Sequence, residues 1–191
     1  MSEAAPTLPD YLAPDLKLVF VGINPGLYSA RMGHYFARRT NRFWPAFSRS
    51  RLSEDVRRGL GKKALDYEDD ATLLAFGIGF TDVVKRPTGN AAQLDPEEYR
   101  MGAPQLMDKL VHFQPRMACF HGVTGYGAFA RHALGDERRR WELGPQERRV
   151  GNTRLFVVPS PSPANAHFTL KDQIDWYDRL AAFLTALTAE S

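Results

Sequence analysis

The sequence predicts an α/β fold: a parallel sheet covered by helices on both faces. Three observations carry this. Short apolar runs rich in β-branched and aromatic residues occur at 16–23, 76–84, 117–120 and 155–158. Segments with helix-start signals or a 3.6-residue period alternate with them. The runs are nearly continuous rather than alternating, which suits strands buried on both faces. In such folds, sites form in the loops at the carboxyl ends of strands.

Taken in order, residues 1–15 are rich in Pro and Ala and are expected to form a flexible N-terminal arm, with one domain over 16–188. The first strand, LKLVFVGI, ends in the turn Asn24-Pro25-Gly26. Residues 27–40 show no clear period and read as a loop. A helix is expected after Asn41 as N-cap, with Pro45 in its first turn, where a missing N–H is tolerated. Residues 51–66 read as polar helix or connector. The second strand, FGIGFTDVV, leads into a loop at 85–90. Asp95-Pro96-Glu97-Glu98 is a helix start with a cap, a proline at the first position and a box-closing Glu. Pro104 is expected to break that helix. A short strand at 117–120 precedes His121-Gly122 and a helix at 123–134. The last strand opens into Pro159-Ser160-Pro161-Ser162-Pro163, too proline-rich for helix or sheet. A final helix at about 170–188 carries Ile174, Tyr177, Leu180, Leu184 and Leu187 on one face.

The chain has 191 residues, 43% apolar and 25% charged, an ordinary globular composition. No apolar run approaches the ~20 residues of a membrane helix, so no membrane partner is expected. Residues 1–12 show no signal-peptide core. Cys119 is the one cysteine, which excludes an intramolecular disulfide, a cysteine-ligated iron–sulfur cluster and a multi-cysteine zinc site. The expectation is a cytoplasmic monomer with no metal and no cofactor, nucleoid-associated if the source is prokaryotic.

Net charge is only +3, but it is unevenly spread. Arg31, Arg38, Arg39, Arg42, Arg49, Arg51, Arg57 and Arg58 face only Glu54 and Asp55 in their stretch, and Arg138, Arg139, Arg140, Arg148 and Arg149 form a second zone. Arginine's planar fork suits phosphate, so the zones point to a polyanion; a solvated arginine-rich surface explains them equally well.

Three loops at strand ends carry unusual chemistry. In Gly22-Ile23-Asn24-Pro25-Gly26 the residue before proline is held extended, so Asn24 projects its amide in a fixed direction. It could hold a water or a base edge, or simply cap its own turn. Gly33-His34-Tyr35-Phe36-Ala37 places rings beside arginines, suited to base stacking or to the core. In the proline loop, Ser160, Ser162 and Asn165 could bind phosphate or enter a groove; the loop could also be a rigid linker. His121 is a candidate base or a structural histidine. No nucleophile elbow, Walker sequence or dinucleotide fingerprint is present.

Together, Gly22-Ile23-Asn24-Pro25-Gly26-Leu27, Gly33-His34-Tyr35-Phe36, Asn41-Arg42-Phe43-Trp44, the stretch 80–88, Phe113-Gln114-Pro115-Arg116 and the 158–168 loop resemble the mismatch-specific uracil-DNA and thymine-DNA glycosylases. The resemblance covers roughly residues 16–185. It implies a three-layer α/β/α sandwich with a short, mainly parallel central sheet, and monofunctional hydrolysis of uracil, with thymine and other damaged pyrimidines in range, from double-stranded DNA through a flipped pyrimidine. It assigns Asn24 to position the attacking water and Phe36 to stack on the base. Ser29 falls near the base's C5. Gly22, Ile23, Gly26, Asn41 and Gln93 are expected to line the pocket. Arg38, Arg39, Arg42, Ser160, Ser162, Ala164 and Asn165 are expected at the DNA. The family commonly has a carboxylate where this chain has Gln93, so Asp82 or Asp95 would have to activate water. Ala164 stands where the family has a larger wedge. A damaged-DNA binding protein with weak or lost catalysis is the main rival, and a nucleotide hydrolase acting on free nucleosides the second.

Overall fold

A computed structural model describes residues 6–189. Five strands, β1 (Leu18–Gly22), β2 (Ile78–Asp82), β3 (Met117–His121), β4 (Gly144–Val150) and β5 (Thr153–Val158), form one sheet in the order β2-β1-β3-β5-β4. All pairings are parallel except β4 with β5. The expected three-layer α/β/α sandwich is therefore the observed architecture.

Every residue of β1, β2 and β3 is buried, because alternate side chains feed two cores. Leu18, Phe20, Ile78, Phe80, Cys119 and Phe156 pack on one side with α2 (Phe43–Arg49) and α6 (Leu170–Ala189), through Phe43, Phe47, Tyr177 and Leu180. Val19, Val21, Ala118, Phe120, Leu155 and Val157 face α4 (Pro96–Phe113) and α5 (Val123–Ala133) on the other side. Two-sided burial is why the strands read as unbroken apolar runs. No helix among the described residues is long and apolar enough to cross a membrane.

The structure corrects two of the expected elements, refines a third and adds a strand. Residues 27–40 contain a helix, α1 (Leu27–Met32), that ends at Gly33. Its Leu27, Tyr28 and Met32 are exposed, so it shows no amphipathic period. The 51–66 stretch resolves into a 3-10 turn at Arg51–Ser53 and α3 (Glu54–Leu60). Pro104 does not break α4, which runs through it. A mid-helix proline costs roughly 3 kcal/mol. Burial of Ala103, Leu106 and Leu110 against the sheet outweighs that, at about 1.5–3 kcal/mol for each leucine. Finally, β4 is a strand that the sequence did not show. It is a polar edge, GPQERRV, and has no apolar run to reveal it.

Residues 1–5 of the expected arm lie outside the described residues. From Leu8 onward the chain packs: Leu8 is buried, and Tyr11 exchanges backbone hydrogen bonds with Phe80 of 2.9 and 3.0 Å. The packed structure thus starts before residue 16.

Gly102 sits where α4 crosses the end of β2, and a Cβ there would collide with the Val83 carbonyl oxygen. Glycine to alanine normally stabilises a helix interior. Gly102→Ala should instead lower the stability by about 1–3 kcal/mol in urea unfolding; a neutral or stabilising result would mean that α4 can lift off freely.

Candidate active site

The parallel strands deliver Gly22, Asp82, His121 and Val158 to the same edge of the sheet. Past that edge, the loops after β1 and β2 stay paired. Val83 N–H donates to Gly22 O (2.9 Å), Val84 to Ile23 (2.9 Å), Thr88 to Pro25 (3.1 Å), and Leu27 N–H to Thr88 O (3.0 Å).

Asn24 projects into this paired segment. Its Nδ2 donates to Arg86 O (2.8 Å), to Thr88 Oγ1 (2.8 Å) and more weakly to Pro25 O (3.3 Å). A carbonyl can only accept, so the amide orientation is fixed by the network. Thr88 Oγ1 donates onward to Asn90 O (2.9 Å) and so acts as an acceptor toward Asn24. Both amide protons are committed, and Asn24 Oδ1 has no protein donor among the described residues. The oxygen is a fixed acceptor. The anchoring uses one end of the side chain and leaves the other open.

Phe36 is held in left-handed backbone geometry, φ 54°, which costs a non-glycine residue on the order of 1–3 kcal/mol. Both flanking peptides are pinned. Tyr35 N–H donates to Asp70 Oδ2 (2.8 Å), Trp44 Nε1 donates to Tyr35 O (2.9 Å), and Ala37 N–H donates to Ser29 Oγ (3.1 Å). The Phe36 ring stacks on the buried Phe43 ring at 4.3 Å and 17°, and stays only partly buried itself. It is a braced platform. Ser29 lies in α1, whose first N–H is held by Thr88, so the helix ties the Asn24 loop to the Phe36 turn. Gly26 begins α1 and bridges Thr88.

Gly22 is required here by close approach: a Cβ would lie 2.5 Å from Asp82 Oδ1. Asp82 is buried, and desolvation lifts its carboxyl to about 6 although Lys85 pulls it down. Lys85 Nζ lies 3.4 Å from Asp82 Oδ2, 2.9 Å from Asp10 Oδ1 and 3.3 Å from Tyr35 Oη. Burial first, then the neighbouring carboxylates, hold the Tyr35 phenol protonated. Asp95 is placed differently. It is the exposed N-cap of α4, and its N–H is held by Glu98 Oε2 (2.9 Å). Of the two carboxyls proposed for water activation, only Asp82 abuts the end of β1.

Other expected site residues hold structure. Gln93 Oε1 accepts from Gly89 N–H (2.9 Å) and Asn90 N–H (3.2 Å), so its carbonyl end closes the turn after Thr88. Asn41 Oδ1 accepts from Phe43 N–H (2.9 Å) and caps α2 from one position outside. Arg42, expected at DNA, is turned inward: Nη2 donates to Asn165 O (2.7 Å) and Ser162 O (2.9 Å), and its N–H to Pro161 O (3.0 Å). It staples the proline loop, because that loop's carbonyls have no helix or sheet partner. Asn165 Nδ2 closes the loop through Ser160 O (3.1 Å). Arg38, Arg39 and Ala164 are exposed; Ser160 and Ser162 are half-buried.

His121 is buried, and desolvation pushes its imidazole down to about 3, so the ring is neutral. Its Nε2 lies 2.8 Å from Tyr177 Oη, and its ring is 5.2 Å from Phe36 edge to face. It packs against the platform, and burial disfavours its charged form. Sequence reasoning missed Asp70, Phe43 and Lys85. Asp70 carried no signal; Phe43 and Lys85 lay inside the stretches 41–44 and 80–88 that carry the resemblance.

The family described as the uracil DNA glycosylase superfamily matches residues 9–184. Among solved structures, the solution NMR structure of a candidate uracil DNA glycosylase from Methanosarcina acetivorans is similar in fold, with a TM-score of 0.54 and 21% identity over 93% of this chain and 98% of that one.

Asp82 makes stability depend on pH in a defined direction. Its folded pKa is about 6, above the ordinary carboxylate value near 4, so the folded state binds more protons between those limits. Stability contributed here is present below about pH 4 and lost as pH rises to about 6. The stability of Asp82→Asn minus that of the native chain should therefore grow by on the order of 2 kcal/mol from pH 4 to pH 7 in urea melts; a pH-independent difference would place Asp82 in contact with water.

Proposed function

The chain belongs to the uracil DNA glycosylase superfamily, and from that membership we propose that it hydrolyses the N-glycosidic bond of uracil in double-stranded DNA, opposite guanine above all, acting as a monomer. The observation that supports this reading most is the Asn24 amide, locked through Nδ2 with its oxygen free.

A base inside a duplex cannot be attacked at its sugar, so the nucleotide must swing out. Phe36, backed by Phe43, offers a ring face for the swung-out pyrimidine. Loss of the base leaves a cationic, oxocarbenium-like sugar. Asn24 Oδ1 accepts a hydrogen bond from water and aims its oxygen at that carbon. An amide takes no proton, so Asn24 orients the water and does not deprotonate it. Asp82 lies beside Gly22 at the strand edge, where its carboxylate, partly offset by Lys85, biases the local field toward the cation. The departing uracil anion needs N–H donors from the pocket wall.

The stapled 159–165 loop is the element we assign to the duplex, with Ala164 at its exposed tip. A methyl group fills little of the gap left by the base, so opposite-strand discrimination rests on the loop backbone more than on a wedge. Two facts favour the second reading, a damaged-DNA binder with weak catalysis: Gln93 is committed to its turn and Ala164 is small. Single-turnover release of base from G·U duplexes decides between them, since a pure binder retains the oligonucleotide and frees no uracil. A parallel panel of U, T and oxidised pyrimidines opposite A and G defines the range.

Asn24→Ala should slow uracil release by about 10²–10³-fold while duplex affinity changes little. Thr88→Val removes one of the two short anchors of the amide and should cost about 10-fold in the same assay. Native rates in Asn24→Ala would remove the amide from the reaction.

A further inference from the structure

Two cationic hollows lie away from the candidate site. The first, about 440 Å³, is lined by Glu54, Arg57, Arg58, Lys62 and Lys63. Its charges are mostly answered. Lys62 pairs with Asp69 at 2.5 Å, Arg58 with Asp55 at 3.4 Å, and Arg57 Nε donates to Ser53 Oγ at 3.0 Å.

The second, about 380 Å³, is different. Gln114, Pro115, Arg116, Arg149, Asn152 and Arg154 line it. Arg116 immediately precedes β3, Arg154 lies near the start of β5, and Arg149 is on β4 beside it. This is the amino edge of the parallel strands, opposite the edge that carries Asn24 and Asp82. Strands of five residues separate the two edges by about 16 Å.

None of the three guanidiniums has a carboxylate partner among the described residues. The one side-chain bond they make there is Arg116 to Thr188 Oγ1, at 3.4 Å. Arg149 and Arg154 stand directly opposite each other across the antiparallel ladder. Like charges in that arrangement repel and destabilise a sheet. The frame that holds them together is braced. Gln114 Oε1 accepts from Asn152 N–H at 3.2 Å in the β4–β5 turn, and Gln114 Nε2 donates to Val111 O at 2.9 Å at the end of α4. Arg154 N–H donates to Arg116 O at 3.0 Å. Three arginines therefore line one hollow on a frame that is already braced. Planar guanidiniums in convergent pairs match phosphate oxygens, two bonds to a fork.

We propose that this hollow binds a phosphate group, at a second site separate from the excision edge. The phosphate could belong to a DNA backbone or to a free phosphate ion; the chemistry is the same and the experiment separates them. The site rests on its own geometry and not on the glycosylase reading.

The test uses the full chain and Arg149→Gln/Arg154→Gln, with Arg149→Gln alone in case the double variant folds poorly. Thermal unfolding is followed against inorganic phosphate and against sodium chloride of equal ionic strength. The native chain should show a saturable rise in midpoint with phosphate alone, and the variants should lose it. Without phosphate, the double variant should melt about 1–3 °C above the native chain, because the opposed charges are gone. Binding to an undamaged duplex then assigns the source. If the phosphate is DNA's, the double variant lowers the slope of log affinity on log salt by about 1.8. An unchanged slope with lost phosphate response assigns a free phosphate. Equal phosphate responses in native and variant chains, or none in the native chain, would overturn the site. Uracil release from a G·U duplex by the native chain, run in parallel, tests the glycosylase reading alone: its absence counts against that reading and leaves the phosphate response as the measure of the hollow.

Discussion

Backbone pairing that outlasts the strands is the constraint on which the site depends. The loops after β1 and β2 continue the ladder from Gly22 to Leu27 and from Val83 to Thr88. Loop carbonyls and N–H groups that would otherwise need water are satisfied by one another. Asn24 is thereby placed between two fixed acceptors and cannot rotate without breaking both. A loop that is normally the mobile part of an α/β protein is here as well tied as the sheet that it extends.

The same economy of polar groups explains the other site elements. Phe36 keeps an unfavourable backbone because three separate side chains hold the peptides around it. The proline loop keeps a shape that prolines alone do not define because Arg42 gathers its carbonyls. Each pin comes from a different part of the chain: Asp70 lies 35 residues from Tyr35, and Arg42 lies 123 from Asn165. The candidate site is preorganised by long-range contacts: the elements assigned to the substrate are held by others remote in sequence.

Electrostatically, the two ends of the sheet are unlike. The carboxyl edge buries Asp82 with Lys85 and Asp10, a compensated cluster whose charge depends on solvent exclusion. The amino edge gathers Arg116, Arg149 and Arg154, none of them paired with an acid among the described residues. The arginine zones visible in the sequence therefore resolve into distinct uses. Arg42 is a staple, Arg138 chelates Asp136 at 2.7 Å and covers Trp141, and only part of the remainder is free to meet an anion.

The sequence by itself determined the fold class, the four buried strands, the capped start of α4 and the position of Asn24, because these follow from local composition and short spacing. Apolar runs mark strands only when both faces are covered, so β4, an exposed edge, left no trace, and neither did α1, whose large side chains face outward. Pro104 misled for the converse reason: a local rule was outweighed by burial against a distant sheet. What the tertiary structure alone decided is the use of each polar group. Gln93, Asn41 and Arg42 carry the right chemistry for a ligand, yet the fold gives Gln93 Oε1, Asn41 Oδ1 and Arg42 Nη2 backbone partners first, and those atoms are no longer available to a substrate.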